Sequence, residues 1–242
     1  MIKIFSNEDE VANEIAKEMQ WHIQNDENPV FCLASGSTPK KSYKRFSKEM
    51  ENKQSRIKLL KVVSLDEWVG IDRTSEGSCY QMLHQDLFSL IPLDDEQIEF
   101  FDGNATDLKE ECRKVDSFIQ SNPITFSLMG VGMNGHIGLN EPGGAVLDHS
   151  SVVDLSKNTK EVAQKYFLQP TVLEKGITIG LNQVIRSKRV IVVMTGERKA
   201  DIARKVFSNS EYRLPAQELL GHDHIDFFLD KDAAKYLEVL SS

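Results

Sequence analysis

The chain has 242 residues, enough for one large α/β domain, and its 37 acidic against 29 basic side chains leave a formal net charge of −8. That balance opposes nonspecific attraction to nucleic acid or an anionic membrane, so any bound phosphate must be held by local donors. The start Met1-Ile-Lys-Ile-Phe-Ser-Asn has no signal-peptide core, and no segment reaches the roughly 18 apolar residues of a membrane helix, so a soluble cytoplasmic protein is expected.

In chain order, apolar runs at residues 2–5, 30–34, 59–65, 98–101, 124–131, 190–195 and 225–229 predict strands, with amphipathic stretches between them. Ser6 is placed to cap a first helix whose Val11, Ile15, Met19 and Ile23 recur at helical spacing. Thr106 precedes another helix that runs to about Gln120. This βα alternation predicts a doubly wound, mostly parallel sheet with helices on both faces and a site at the strands' carboxyl ends. No repeat or low-complexity linker divides the chain, so a single domain over residues 1–242 is expected. Residues 143–171 are polar, with no obvious strand and one short helical pattern at 160–167, and read as a lid. Cys32, Cys79 and Cys112 are odd in number and widely spaced, which predicts reduced, partly buried thiols. His222-Asp-His224 has a spacing that could bind a metal, but a solvated turn is the preferred reading.

Four loops carry the candidate chemistry. The run at 30–34 opens into Ser35-Gly36-Ser37-Thr38-Pro39-Lys40, where a glycine, hydroxyls and the free N–H groups of a helix start suit a phosphate. It lacks the Gly-Lys-Ser/Thr ending of a nucleotide-binding loop, which favours a small sugar phosphate. The run at 59–65 ends in Asp66-Glu67-Trp68-Val69-Gly70. Neighbouring residues leaving a strand point oppositely, so one carboxylate is expected to face the site and the other to be structural. Apolar surroundings such as Trp68 would raise a carboxyl's proton affinity, as a general base between neighbouring carbons requires. The densest loop is Gly130-Val-Gly-Met-Asn134-Gly135-His136-Ile-Gly-Leu-Asn140-Glu141-Pro142, which sets an imidazole beside a carboxylate. The run at 190–195 leads into Gly196-Glu197-Arg198-Lys199, where Lys199 could reach a phosphate, as could Lys165 in the lid.

Taken together, the Ser-Gly-Ser-Thr-Pro, Leu-Asp-Glu-Trp-Val-Gly and Asn-Gly-His-Ile-Gly-Leu-Asn-Glu-Pro motifs resemble the glucosamine-6-phosphate deaminase (isomerase) family over nearly the whole chain. The related 6-phosphogluconolactonases share the phosphate loop but usually carry Asp-Glu-Arg where Asp66-Glu67-Trp68 stands here. Trp68, Leu139 and the stretch Lys175-Gly-Ile-Thr-Ile-Gly-Leu181 are closer to galactosamine-6-phosphate deaminases. The resemblance implies a modified Rossmann-like fold and conversion of a 2-amino-2-deoxyhexose 6-phosphate to a ketose 6-phosphate plus ammonia. His136, oriented by Glu141 and assisted by Asn134, would open the ring; Asp66 would shuttle the proton from carbon 2 to carbon 1. Ser35, Gly36, Ser37, Thr38, Lys165 and Lys199 would hold the phosphate, with Glu67 and Gly135 near the site and no metal or cofactor required. Asn134 stands where some relatives have Asp, and Lys165 where relatives often carry Arg. Ser151 and Asp154 fall where activated hexameric relatives place effector-binding groups, so no such activation is expected and a monomer or small homo-oligomer suits the chain. Two other readings remain: a lactonase or isomerase acting on another sugar phosphate, and a noncatalytic sugar-phosphate sensor. The presence of Asp66, His136 and Glu141, with no DNA-binding segment before Met1, argues against the sensor.

Overall fold

The computed structural model describes residues 1–208 and 213–237. Its first half contains β1 (Ile2–Phe5), α1 (Glu8–Asn25), β2 (Val30–Leu33), α2 (Lys40–Met50), α3 (Gln54–Ile57), β3 (Lys61–Ser64), β4 (Asp66–Trp68), α4 (Cys79–Asp86), β5 (Ile98–Glu99) and α5 (Leu108–Ser121). The second half runs β6 (Phe126–Gly130), β7 (Ser151–Asp154), α6 (Lys157–Ala163), β8 (Lys175–Thr178), α7 (Leu181–Ile185), β9 (Val190–Met194), α8 (Ala200–Phe207) and β10 (Ile225–Asp230).

Each of the seven apolar runs becomes one strand of an all-parallel sheet ordered β1-β10-β9-β6-β2-β3-β5. In β2, Val30 and Cys32 pack on one face with Val63, Val192 and Phe227, while Phe31 and Leu33 pack on the other with Val62, Phe126 and Phe228. A strand covered on both faces reads as an unbroken apolar run instead of an alternating one, which is the signal these segments carry. The helices cover the sheet through apolar stripes. In α1, Val11, Ile15, Met19 and Ile23 are all buried. Its cap is Asn7, not Ser6: the Asn7 side chain accepts from Glu10 N at 3.0 Å, while the Ser6 N–H donates to the Glu10 carboxylate. Asn caps as well as Ser does, so the start shifts by one residue without energetic penalty.

Two sequence expectations fail together. Asp66 to Trp68 form a strand and not a turn, and residues 143–171, expected to lack a strand, contain β7. Both belong to a second, antiparallel sheet ordered β4-β8-β7. Its strands are short and all three carry charged residues, and β4 lies far along the chain from its partner β8, so no local apolar pattern announces them. Ile179 N–H donates to Leu65 O at 3.0 Å, which ties this sheet to the end of β3.

Candidate active site

Four neighbouring strands of the large sheet, β9, β6, β2 and β3, end beside one another, and their loops surround a cavity of about 680 Å³. Ser35, Ser37, Thr38, Asp66, His136, Lys165 and Lys199 all line it. The cradle Ser35–Thr38 precedes α2, whose first-turn N–H groups have no acceptor within the helix and favour an anion. Gly36 adopts φ 90°, open to glycine, and a Cβ there would lie 2.8 Å from the Tyr166 hydroxyl. Lys199, in the lining of the same cavity, donates to Val131 O. Burial, and secondarily the Lys165 charge, bring the Lys199 ammonium down to about 8.

The adjacent carboxylates of β4 part company. Asp66 is buried at 9% exposure yet faces the cavity. Burial pushes its carboxyl up to about 6, against the pull of the Cys79 thiol and of His136. Glu67 turns away from the cavity and accepts backbone N–H groups from Trp68 at 2.8 Å, Cys79 at 2.9 Å and Tyr80 at 3.0 Å, which fixes the start of α4 to β4. Even so, burial raises it to about 7.

His136 lies flat against Gly132, where a Cβ would come within 2.3 Å of its Nε2. Its Nδ1 is 3.1 Å from Thr159 Oγ1 and 3.6 Å from Glu141 Oε2. Burial works against the Glu141 charge, but His136, the Thr159 hydroxyl and the Ser156 N–H outweigh it and hold the carboxyl down at about 2. Asn134 Nδ2 donates to Glu141 Oε2 at 2.7 Å and to Ser156 Oγ at 3.1 Å, and its Oδ1 accepts from His136 N–H at 3.2 Å. A buried carboxylate and a carboxylate-backed imidazole thus share a cavity with a cationic anion cradle, an arrangement that can move protons on a bound phosphate ester.

A sequence model of the family described as glucosamine-6-phosphate isomerases/6-phosphogluconolactonase matches residues 6–227. The chain belongs to this family. Glucosamine-6-phosphate deaminases of Clostridium novyi and Streptococcus pyogenes are relatives at 32% and 34% identity. The first alignment covers 96% of this chain and 98% of the relative, the second 85% and 86%. A solved structure of a monomeric glucosamine-6-phosphate deaminase superposes with a TM-score of 0.91 at 28% identity, covering 97% of this chain and 98% of that one. The 6-phosphogluconolactonase of Trypanosoma brucei, at 20% identity and a TM-score of 0.74 over 98% of each chain, shares the fold.

Within this family frame, not every residue singled out in the sequence touches the cavity. Gly36, Glu67, Asn134, Gly135 and Glu141 stand outside its lining: Glu141 and Asn134 act on His136 from behind, and Gly135 forms the turn beneath it at φ 90°. Ser151 and Asp154 lie on β7, also outside the lining. His222 and His224 each place Nε2 on a backbone carbonyl, that of Glu218 at 3.2 Å and that of Ile185 at 2.7 Å. Among the described residues no cluster of three or more His, Cys, Asp or Glu is arranged to hold a metal, and no helix is long and apolar enough to cross a membrane. The three cysteines are free and buried, Cys79 within the cavity lining. Sequence reasoning passed over Arg198, Tyr166, Thr159, Ser156 and Gly132. Ser156 is legible as the cap of α6, but nothing local shows that this cap meets Glu141.

Proposed function

We propose that this chain is a hexosamine-6-phosphate deaminase that converts a 2-amino-2-deoxyhexose 6-phosphate and water to the ketose 6-phosphate and ammonia. The observation that carries this reading is the buried, cavity-facing Asp66, with its raised proton affinity, in the same cavity as His136 and the Ser35–Thr38 cradle. The cradle with Lys199 and Lys165 holds the phosphate. His136 takes the proton from the anomeric hydroxyl; the carbon 1 to ring oxygen bond breaks as the carbonyl forms, and the ring oxygen receives that proton. Asp66 then removes the carbon 2 proton. Electrons shift to a carbon 1–carbon 2 double bond while the carbon 1 oxygen is protonated, and Asp66 returns its proton to carbon 1. This leaves an iminium at carbon 2, which water hydrolyses to the ketone and ammonia. The sequence is redox neutral, and its ring-opening and carbon 1/carbon 2 proton transfers are assigned to His136 and Asp66. Of the expected lid at residues 143–171, the part that follows β7, with Lys165 in the cavity lining and Tyr166 against Gly36, excludes water from the enol intermediate. The single domain works in the cytoplasm, and the monomeric relative supports a monomer.

The glucosamine-6-phosphate deaminases among the relatives support the gluco sugar as substrate, while Trp68 and Leu139 keep the galacto sugar in play. Ammonia release from glucosamine 6-phosphate and galactosamine 6-phosphate, measured side by side, tests both. Release from one or both is expected. Release from neither, with hydrolysis of a 6-phosphogluconolactone, would replace this reading with the lactonase one.

A further inference from the structure

The polar groups behind His136 form a directed chain. Ser156 Oγ accepts from Asn134 Nδ2 at 3.1 Å and from Thr159 N–H at 3.2 Å, which occupies both of its lone pairs. Its own proton therefore goes to Thr159 Oγ1, 3.0 Å away. Thr159 Oγ1 keeps one lone pair, and it lies 3.1 Å from His136 Nδ1, within hydrogen-bond range, whereas Glu141 Oε2 at 3.6 Å is beyond it. The negative Glu141 favours a proton on the near ring nitrogen, and the Thr159 hydroxyl, one of the groups that hold this carboxyl down, has it as a neighbour for its own proton. We propose that Thr159 is a positioning residue for proton transfer: its hydroxyl, ordered by Ser156, accepts from His136 Nδ1–H and leaves His136 Nε2 bare as the atom that takes the sugar's proton. The inference rests on the deaminase reading for its substrate, but not for the tautomer itself.

The Ser156 oxygen in this chain is also the N-cap of α6, and Thr159 sits in the first turn of that helix. The same segment continues into Lys165 and Tyr166 over the phosphate cradle. Seating of α6 therefore decides whether His136 Nδ1 has an acceptor, so the imidazole is set for ring opening only when the segment that covers the phosphate is in place.

The test combines 15N spectra of histidine-labelled protein, with the His136 signals assigned through His136→Gln, and turnover of Thr159→Val and Thr159→Ser on the better hexosamine 6-phosphate. The wild type is expected to show the Nδ1–H tautomer. Thr159→Val should lose that signature and about 100-fold in kcat, with KM little changed; Thr159→Ser should restore both. An Nε2–H tautomer in the wild type, or Thr159→Val retaining the wild-type tautomer and kcat, would overturn the proposal. An Nδ1–H signature that Thr159→Val alone abolishes, in a protein that releases no ammonia from either sugar, would uphold the positioning role and sink the deaminase reading instead.

Discussion

The carboxyl edge of the large parallel sheet and the small antiparallel sheet bring different things to the cavity. The edge supplies the anion cradle, Lys199 and the His136 loop, all on backbone held by ladders on both sides. The small sheet supplies Asp66 from β4 and, through β7, the segment that carries Ser156, Thr159 and Lys165. The large sheet alone would make a phosphate site beside an imidazole open to solvent. It is the small sheet that brings a buried carboxylate into the cavity with that imidazole and, through the segment after β7, gives His136 Nδ1 a partner. Proton transfer therefore needs both units, His136 from the edge and Asp66 from β4, while most of the phosphate donors, all but Lys165, stand on the edge alone.

The sharpest separation is expected from Asp66→Asn. Turnover should fall by about three to four orders of magnitude, as for loss of a general base, while KM stays within a few-fold. The fold should gain stability, because moving this carboxyl from 3.8 to about 6 corresponds to roughly 3 kcal/mol of unfavourable charge burial at neutral pH; a lower Tm would contradict this. Next comes Gly132→Ala, which forces the His136 ring off its seat. A drop in kcat of about 100-fold is expected, with competitive inhibition by inorganic phosphate unchanged. Weakened phosphate inhibition would show that proton transfer and phosphate binding are not separable at this edge. Lys199→Ala touches only the binding side and should raise KM by about 10- to 100-fold, as for a lost charge-assisted hydrogen bond. In the wild type KM should itself rise as pH passes about 8, where Lys199 loses its proton; a KM flat across that range would remove Lys199 from phosphate binding. The smallest effect is the acid limb of kcat/KM. Asp66 must be ionised to act, so activity should fall as pH drops through about 6. Its contribution to stability runs the other way. The folded carboxyl takes up a proton before the unfolded one does, so stability is gained as pH falls from about 6 toward about 4 and lost again as pH rises. An acid limb near 4 would mean that solvent reaches Asp66.

Much of the framework was legible along the chain. Strands covered on both faces must be apolar throughout, so the seven runs showed the parallel sheet, and glycine- and hydroxyl-rich segments following them marked the loops at its edge. The alternation of side chains along a strand indicated that only one of Asp66 and Glu67 faces the site, and the family resemblance implied Asp66. What stayed hidden depends on contacts between distant segments. The β4-β8-β7 sheet pairs Asp66 with Thr178 and Thr178 with Ser151, a register that no local pattern encodes. The bond from Thr159 to His136 and the clearance at Gly132 exist only because α6 is seated on the His136 loop. By itself the sequence determined which residue types stand at which strand ends, because local apolarity and turn chemistry act over a few residues. How deeply Asp66 is buried and which atom meets His136 Nδ1 follow from the folded packing, because desolvation and hydrogen-bond geometry are set by neighbours that the chain brings together only when it folds.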